Sequence, residues 1–318
     1  MNTYASIISY LYNVSTFIGT INGDVRVGGL KFPKESFYIL IVTFIFTSMK
    51  DDIHNKHDKI VRDTYSRPDI AKAYFKKFLP AALKAEIDVE SMTIVKETYI
   101  TEELQEYFSD LLFQFTLRNS KKKLVVSLLF EHKSNPDKHV LVQVGHYIFN
   151  QWTKELNNKQ RIKPIIPLIY YQGKTKWSVP TLRELFSDYP ESVLQYIPSY
   201  DFIFFAINSL TKEQLEDITD TMLLIAISGH DRSVDTKEFI KRLNRIASLR
   251  KFALHERNFI TLVFVYKFSV HKHSADEIIK LVKTITSPIN EDIMSTLDKF
   301  IEKGEQIGIQ KGKIEGKI

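Results

Sequence analysis

The chain of 318 residues is 44% hydrophobic and 26% charged and has no cysteine. That places it among ordinary globular proteins and excludes disulfides, cysteine-ligated zinc, iron–sulfur clusters and thiol catalysis together; the cytoplasm is the simplest location. Lys plus Arg number 44 against 38 for Asp plus Glu, a formal charge of +6, which is compatible with nucleic acid without being diagnostic of it.

Residues 1–48 differ from the rest, with charges only at Asp24, Arg26, Lys31, Lys34 and Glu35. Their most apolar stretch, Tyr38 to Phe46, is far shorter than the roughly 20 residues that cross a bilayer, and no basic start or small-residue cleavage site marks a leader. The expectation is no membrane anchor. Met49 opens a charged run, Lys50-Asp51-Asp52, so residues 1–48 are read as an over-extended start, with a short β-rich extension as the competing reading. Helical spacing predicts a helix from Ile70 to Leu83, after Pro68 and ending near Pro80-Ala81-Ala82. Met92 to Ile100, Tyr107 to Leu117 and Lys123 to Lys133 read as strands, the last two joined as a hairpin across Arg118 to Lys122. His139 to Leu156 is helical, with Val140, Val144, Tyr147, Ile148 and Trp152 on one side. Pro164 to Tyr171 is a buried strand closed by Gln172-Gly173, and Asp201 to Ile207 is another.

After Thr211 the pattern is almost wholly helical. Its apolar residues, among them Met222 to Ile225 and Phe259 to Val263, exceed what one helix face can hide, so a bundle is expected, and with it self-association. This order predicts an α/β (α+β) core over residues 49–210, a helical region over 211–303 and a tail over 304–318. In the tail Gly304, Gly308, Gly312 and Gly316 recur at every fourth position. Each glycine costs a helix about 1 kcal/mol, so the tail is either disordered or helical against a partner, giving a homo-oligomer.

The chemistry concentrates on the hairpin. Asp110 lies among Phe108, Leu111, Leu112 and Phe113, where a carboxylate without a partner would be costly. The apolar run from Leu124 stops abruptly in Glu131-His132-Lys133, and period-two geometry sets Glu131 and Lys133 on one face. Two readings fit. One is a carboxylate–lysine ion pair at a sheet end. The other is a divalent cation held by oxygens of Asp110 and Glu131, with Lys133 orienting water or stabilising charge. His139 and His146 share a helix but lack a third ligand.

Asp110, followed after twenty residues by Glu131-His132-Lys133, resembles the D…(D/E)-x-K signature of the PD-(D/E)xK nucleases, with Ser109 where that signature has proline. Gln143 and Tyr147, four apart on one helix face, resemble the Q-x-x-x-Y of RecB-like members. The wider blocks are His57-Asp58 before a helix, Phe78-Leu79-Pro80, Tyr107 to Leu112, Phe130 to Ser134, and Pro164 to Gly173 with Trp177. From about residue 54 to the C-terminus they are similar to the recombination-promoting nuclease family (Rpn, YhgA-like).

The resemblance implies a restriction-endonuclease-like core and a Mg²⁺-dependent DNA endonuclease that promotes recombination. It implies Asp110 and Glu131 as metal ligands, Lys133 as the catalytic lysine and Gln143 as an active-site helper. Asp58, from the family's His-Asp pair, is a further candidate ligand, its alternative being a helix cap. The competing function is a catalytically inactive DNA-binding or assembly protein that keeps the nuclease fold.

Overall fold

The computed structural model describes residues 18–21, 24–27, 30–32, 53–95, 111–118, 125–271, 273, 275–286 and 288–295. The chain divides into two compact units, His57–Val234 and a second made of Met1–Lys56 with Asp235–Ile318. The first unit carries the candidate site and extends past residue 210.

Helix α1 (Ile53–Tyr65) leads into α2 (Pro68–Phe78), whose first turn holds Pro68, where a missing N–H costs nothing, and Asp69, whose charge suits the positive helix end. The predicted single helix to Leu83 is instead two. Pro80 disfavours helical backbone in the residue before it, and Leu79 is extended with ψ 142°. Pro80 then opens the short α3 (Ala81–Glu86). Strand β4 (Ile87–Ile94) follows at once, earlier than the expected Met92 to Ile100; it buries Ile87, Val89 and Met92. A break in register between Asp88 and Thr93 interrupts the period-two pattern that would have located its start.

Strands β5 (Leu111–Leu117), β6 (Val125–Lys133), β7 (Ile165–Tyr171) and β8 (Ile203–Ala206) complete a five-stranded sheet in sequential order. The β4–β5 and β5–β6 pairs are antiparallel, whereas β6–β7 and β7–β8 are parallel. Such parallel strands need both faces covered. Helix α4 (Val140–Asn157) covers one face, packing Val140, Leu141, Val144, Tyr147 and Ile148 on Leu112 and Ile169. The other face holds a ring cluster built from Tyr65, Tyr74, Phe113, Phe130 and Tyr170.

Short helices α5 (Glu191–Leu194) and α6 (Lys212–Glu216) precede α7 (Thr221–His230), which ends the unit in a buried polar chain. Tyr65 donates to the Tyr170 hydroxyl at 3.1 Å, and Tyr170 lies 3.1 Å from His230 Nδ1. Thr64 spends its proton on the Ile60 carbonyl, so at 3.0 Å it accepts from His230 Nε2. The imidazole tautomer protonated on Nε2 therefore satisfies every one of these contacts. Gly173, just after β7, admits no side chain, because a Cβ there would overlap the Tyr171 ring.

The hydroxyl of Tyr74 is buried with no partner among the described residues. Tyr74→Phe is therefore expected to stabilise the unit by about 1 kcal/mol near neutral pH, since it removes a desolvated group that gains nothing. Burial also raises the phenol pKa of both Tyr65 and Tyr74. Above pH ~10 the unfolded chain ionises first, so stability should fall by about 1.4 kcal/mol per pH unit for each phenol. Urea midpoints on either side of that pH test both statements: Tyr74→Phe should start higher and fall less steeply, and a lower midpoint at neutral pH would reveal a partner for the hydroxyl.

In the second unit, strands Ile18–Ile21, Asp24–Val27 and Leu30–Phe32, numbered β1 to β3, form an antiparallel sheet in sequential order. Helix α8 (Thr236–Leu249) is capped by Asp235, which accepts from the Glu238 N–H at 2.8 Å. Helices α9 (Leu254–Val270) and α10 (Ala275–Lys283) follow. Phe239, Leu243, Phe259, Ile260, Val263 and Phe264 are buried, and Phe239 meets Phe264 with ring centroids 5.0 Å apart. Met49 and the glycine-spaced tail lie outside the described residues. Among the described residues no helix is long and apolar enough to cross a membrane.

Candidate active site

Strand β6 carries the site at its end. Phe130 points into the ring cluster, so Glu131 and Lys133 leave the strand on the opposite, α4-covered face, in register with Ile169 and Tyr171 of β7. The Lys133 ammonium lies 3.0 Å from Glu131 Oε1 and 3.1 Å from Asp137 Oδ2, and it donates to Gln143 Oε1 at 2.6 Å. Three acceptors thus meet the three hydrogens of one ammonium. The inner end of the cluster is enclosed, the side chains of Lys133 and Glu131 being 17% and 7% exposed, whereas Gln143 lies at its exposed rim.

Burial lowers the Lys133 pKa, but Glu131 and then Asp137 outweigh it and hold the pKa above the ordinary lysine value. For Asp137, burial raises the pKa, and the His139 N–H and the Lys133 ammonium overcome it, so the carboxyl sits below the usual range. Both groups are charged near neutral pH.

Of the residues singled out from the sequence, Glu131, Lys133 and Gln143 come together here, whereas Asp110 lies outside the described residues. Asp58 is elsewhere. It is the sixth residue of α1, inside the helix rather than before it or at its cap, and its Oδ1 lies 2.8 Å from His132 Nδ1. Alternation along β6 sends His132 to the face opposite Glu131 and Lys133, and His132 Nε2 is buried with no partner among the described residues. His146 pairs with Asn150 on an exposed part of α4.

Asp137 was not legible as a site residue. Its signal was modest: an acidic residue four positions after Lys133 and just before a helix, where solvated caps are common. Among the described residues no three His, Asp or Glu side chains gather as a metal cage. The acceptors around Lys133 are nevertheless all oxygens, from Glu131, Asp137 and Gln143, a donor chemistry that fits Mg²⁺ rather than a softer ion.

The sequence family described as "Putative transposase, YhgA-like" matches residues 55–258. The chain belongs to that family. It is similar to the inactive recombination-promoting nuclease-like protein RpnE of Escherichia coli K12, at 21% identity over 82% of this chain and 87% of the relative. It is also similar to the recombination-promoting nuclease RpnD of Escherichia coli O157:H7, at 24% identity over 59% of this chain and 72% of the relative. RpnA of strain K12, another recombination-promoting nuclease, is 24% identical over 37% of this chain and 40% of its own length. No solved structure matches the chain.

Proposed function

We propose that this member of the YhgA-like family is a Mg²⁺-dependent DNA endonuclease of the PD-(D/E)xK kind, which hydrolyses phosphodiester bonds and so promotes recombination. The observation that carries the reading is the meeting of the buried Glu131 with Lys133 and Gln143 at the end of β6. The β5–β6 register adds to it: Leu111, which follows Asp110 in the sequence, faces Phe130, which precedes Glu131. In this reading Asp110 and Glu131 hold the cation, which when bound neutralises phosphate charge and acidifies water. Lys133, kept protonated by its carboxylate neighbours, stabilises charge developing on the phosphate, and Gln143 fixes where the ammonium sits. DNA backbone contacts come from other Lys and Arg side chains.

The alternative is a catalytically inactive DNA-binding or assembly protein, favoured by the similarity over most of this chain to RpnE, an inactive recombination-promoting nuclease-like protein. Plasmid DNA incubated with purified protein, with and without Mg²⁺ and beside Lys133→Ala, separates the two. The wild type should nick only with Mg²⁺, and Lys133→Ala should not nick. DNA binding without any nicking would support the inactive reading, and equal nicking by both proteins would locate the activity elsewhere.

A further inference from the structure

We propose that Asp137 is a positioning residue, which takes over the Lys133 ammonium so that Glu131 can bind a divalent cation; this rests on the metal-site reading above. Lys133 Nζ lies 3.0 Å from Glu131 Oε1, so the carboxylate that would hold the cation already faces a positive charge through one of its oxygens. An ammonium and a divalent cation on one carboxylate repel. Lys133 must therefore yield its contact with Glu131, and the cost depends on what still holds it. Gln143 is neutral, and among the described residues Asp137, at 3.1 Å, is the one other carboxylate on the ammonium.

Asp137 is itself held in place. Its second oxygen, Oδ1, accepts the His139 N–H at 2.9 Å, a local turn that fastens it to the start of α4. The same helix presents Gln143. Both acceptors that remain to Lys133 thus come from one short segment, residues 137–143, and would keep the ammonium beside Glu131 while ceding the oxygen. Two other roles would produce a similar geometry: a purely structural helix start, or a direct metal ligand.

Mn²⁺ binding to the full chain, followed by calorimetry without DNA, distinguishes them. The measurement is made at about 0.5 M salt, where long-range attraction between Asp137 and the ion is screened. Asp137→Asn keeps an oxygen for His139 and loses the charge, and should weaken Mn²⁺ binding about fivefold to tenfold. Lys133→Met removes the competing ammonium and should tighten binding. In the Lys133→Met background, Asp137→Asn should change affinity by no more than about twofold, because its partner is gone. Asp137→Glu keeps the charge without the turn and should bind within about threefold of wild type.

An equal loss from Asp137→Asn in both backgrounds would make Asp137 a ligand or a fold determinant and overturn the proposal. No loss in either would overturn it too, as would a loss for Asp137→Glu as large as for Asp137→Asn. These outcomes leave the metal site standing, whereas a wild-type chain that binds no Mn²⁺ would sink the metal-site reading and this proposal with it.

Discussion

Glu131→Gln should lower Mg²⁺-dependent DNA cleavage by about a hundredfold or more, while plasmid binding stays within about twofold because phosphate contacts lie on separate Lys and Arg side chains. The substitution conserves shape and removes only the charge. Lys133 then keeps Asp137 at 3.1 Å and Gln143 at 2.6 Å, so the ammonium is not stranded and the fold should persist. Lys133→Ala is a harsher change, since it leaves the nearly buried Glu131 carboxylate without its counter-charge, a loss that costs about 3–5 kcal/mol when fully buried. Cleavage assays and gel-shift titrations of Glu131→Gln should be run together with its urea midpoint. Undiminished nicking with a normal midpoint would show that the cluster is an ion pair at a sheet end and no active centre.

The ion-pair reading and the metal reading differ in what they ask of Lys133. An ion pair needs one carboxylate. Here the ammonium has two carboxylates and an amide, gathered from the end of β6, the following loop and α4. That surplus holds one cationic group in one place, the pre-organisation expected where charge is to be stabilised. Stability alone would be served as well by apolar side chains in place of the largely buried Glu131–Lys133 pair.

How far the sequence reveals all this depends on whether the signal is local. Strands β6 and β7 and helix α4 fall within about two residues of the spans predicted from their periodicity, because apolar runs closed by charged or glycine residues leave little choice of boundary. The Glu131–Lys133 face followed from strand alternation alone, and Gln143 from its resemblance to a family pattern. The contact between Asp58 and His132 could not be found that way. The two residues are 74 positions apart, and no period links an α1 side chain to one face of β6. Asp137 failed for a different reason: its bond to the His139 N–H is the ordinary signature of a helix start, and that explanation masks its second oxygen on Lys133. The Pro80 break was legible in principle, because the backbone restriction acts on the preceding residue, yet the apolar spacing ran through it.

Phe130→Ala should cost about 3–5 kcal/mol and should reduce cleavage although the residue faces away from the site. Phe130 is 1% exposed, with ring centroids 4.8 Å from Tyr65, 5.1 Å from Tyr170 and 5.6 Å from Tyr74. These contacts set the phase of β6. A one-residue slip would exchange the faces of every side chain along it, sending Glu131 and Lys133 toward the ring cluster and His132 toward α4. The aromatic anchor and the acidic-basic pair are thus two consequences of one register, which the anchor helps to enforce. The expected signature is a lowered urea midpoint together with a fall in kcat larger than the unfolded fraction accounts for at the assay temperature. Phe130→Leu, which refills much of the space, should recover most of both. A Phe130→Ala protein that loses stability but cleaves at the full rate of its folded fraction would show that β5 and β7 fix the register without the anchor.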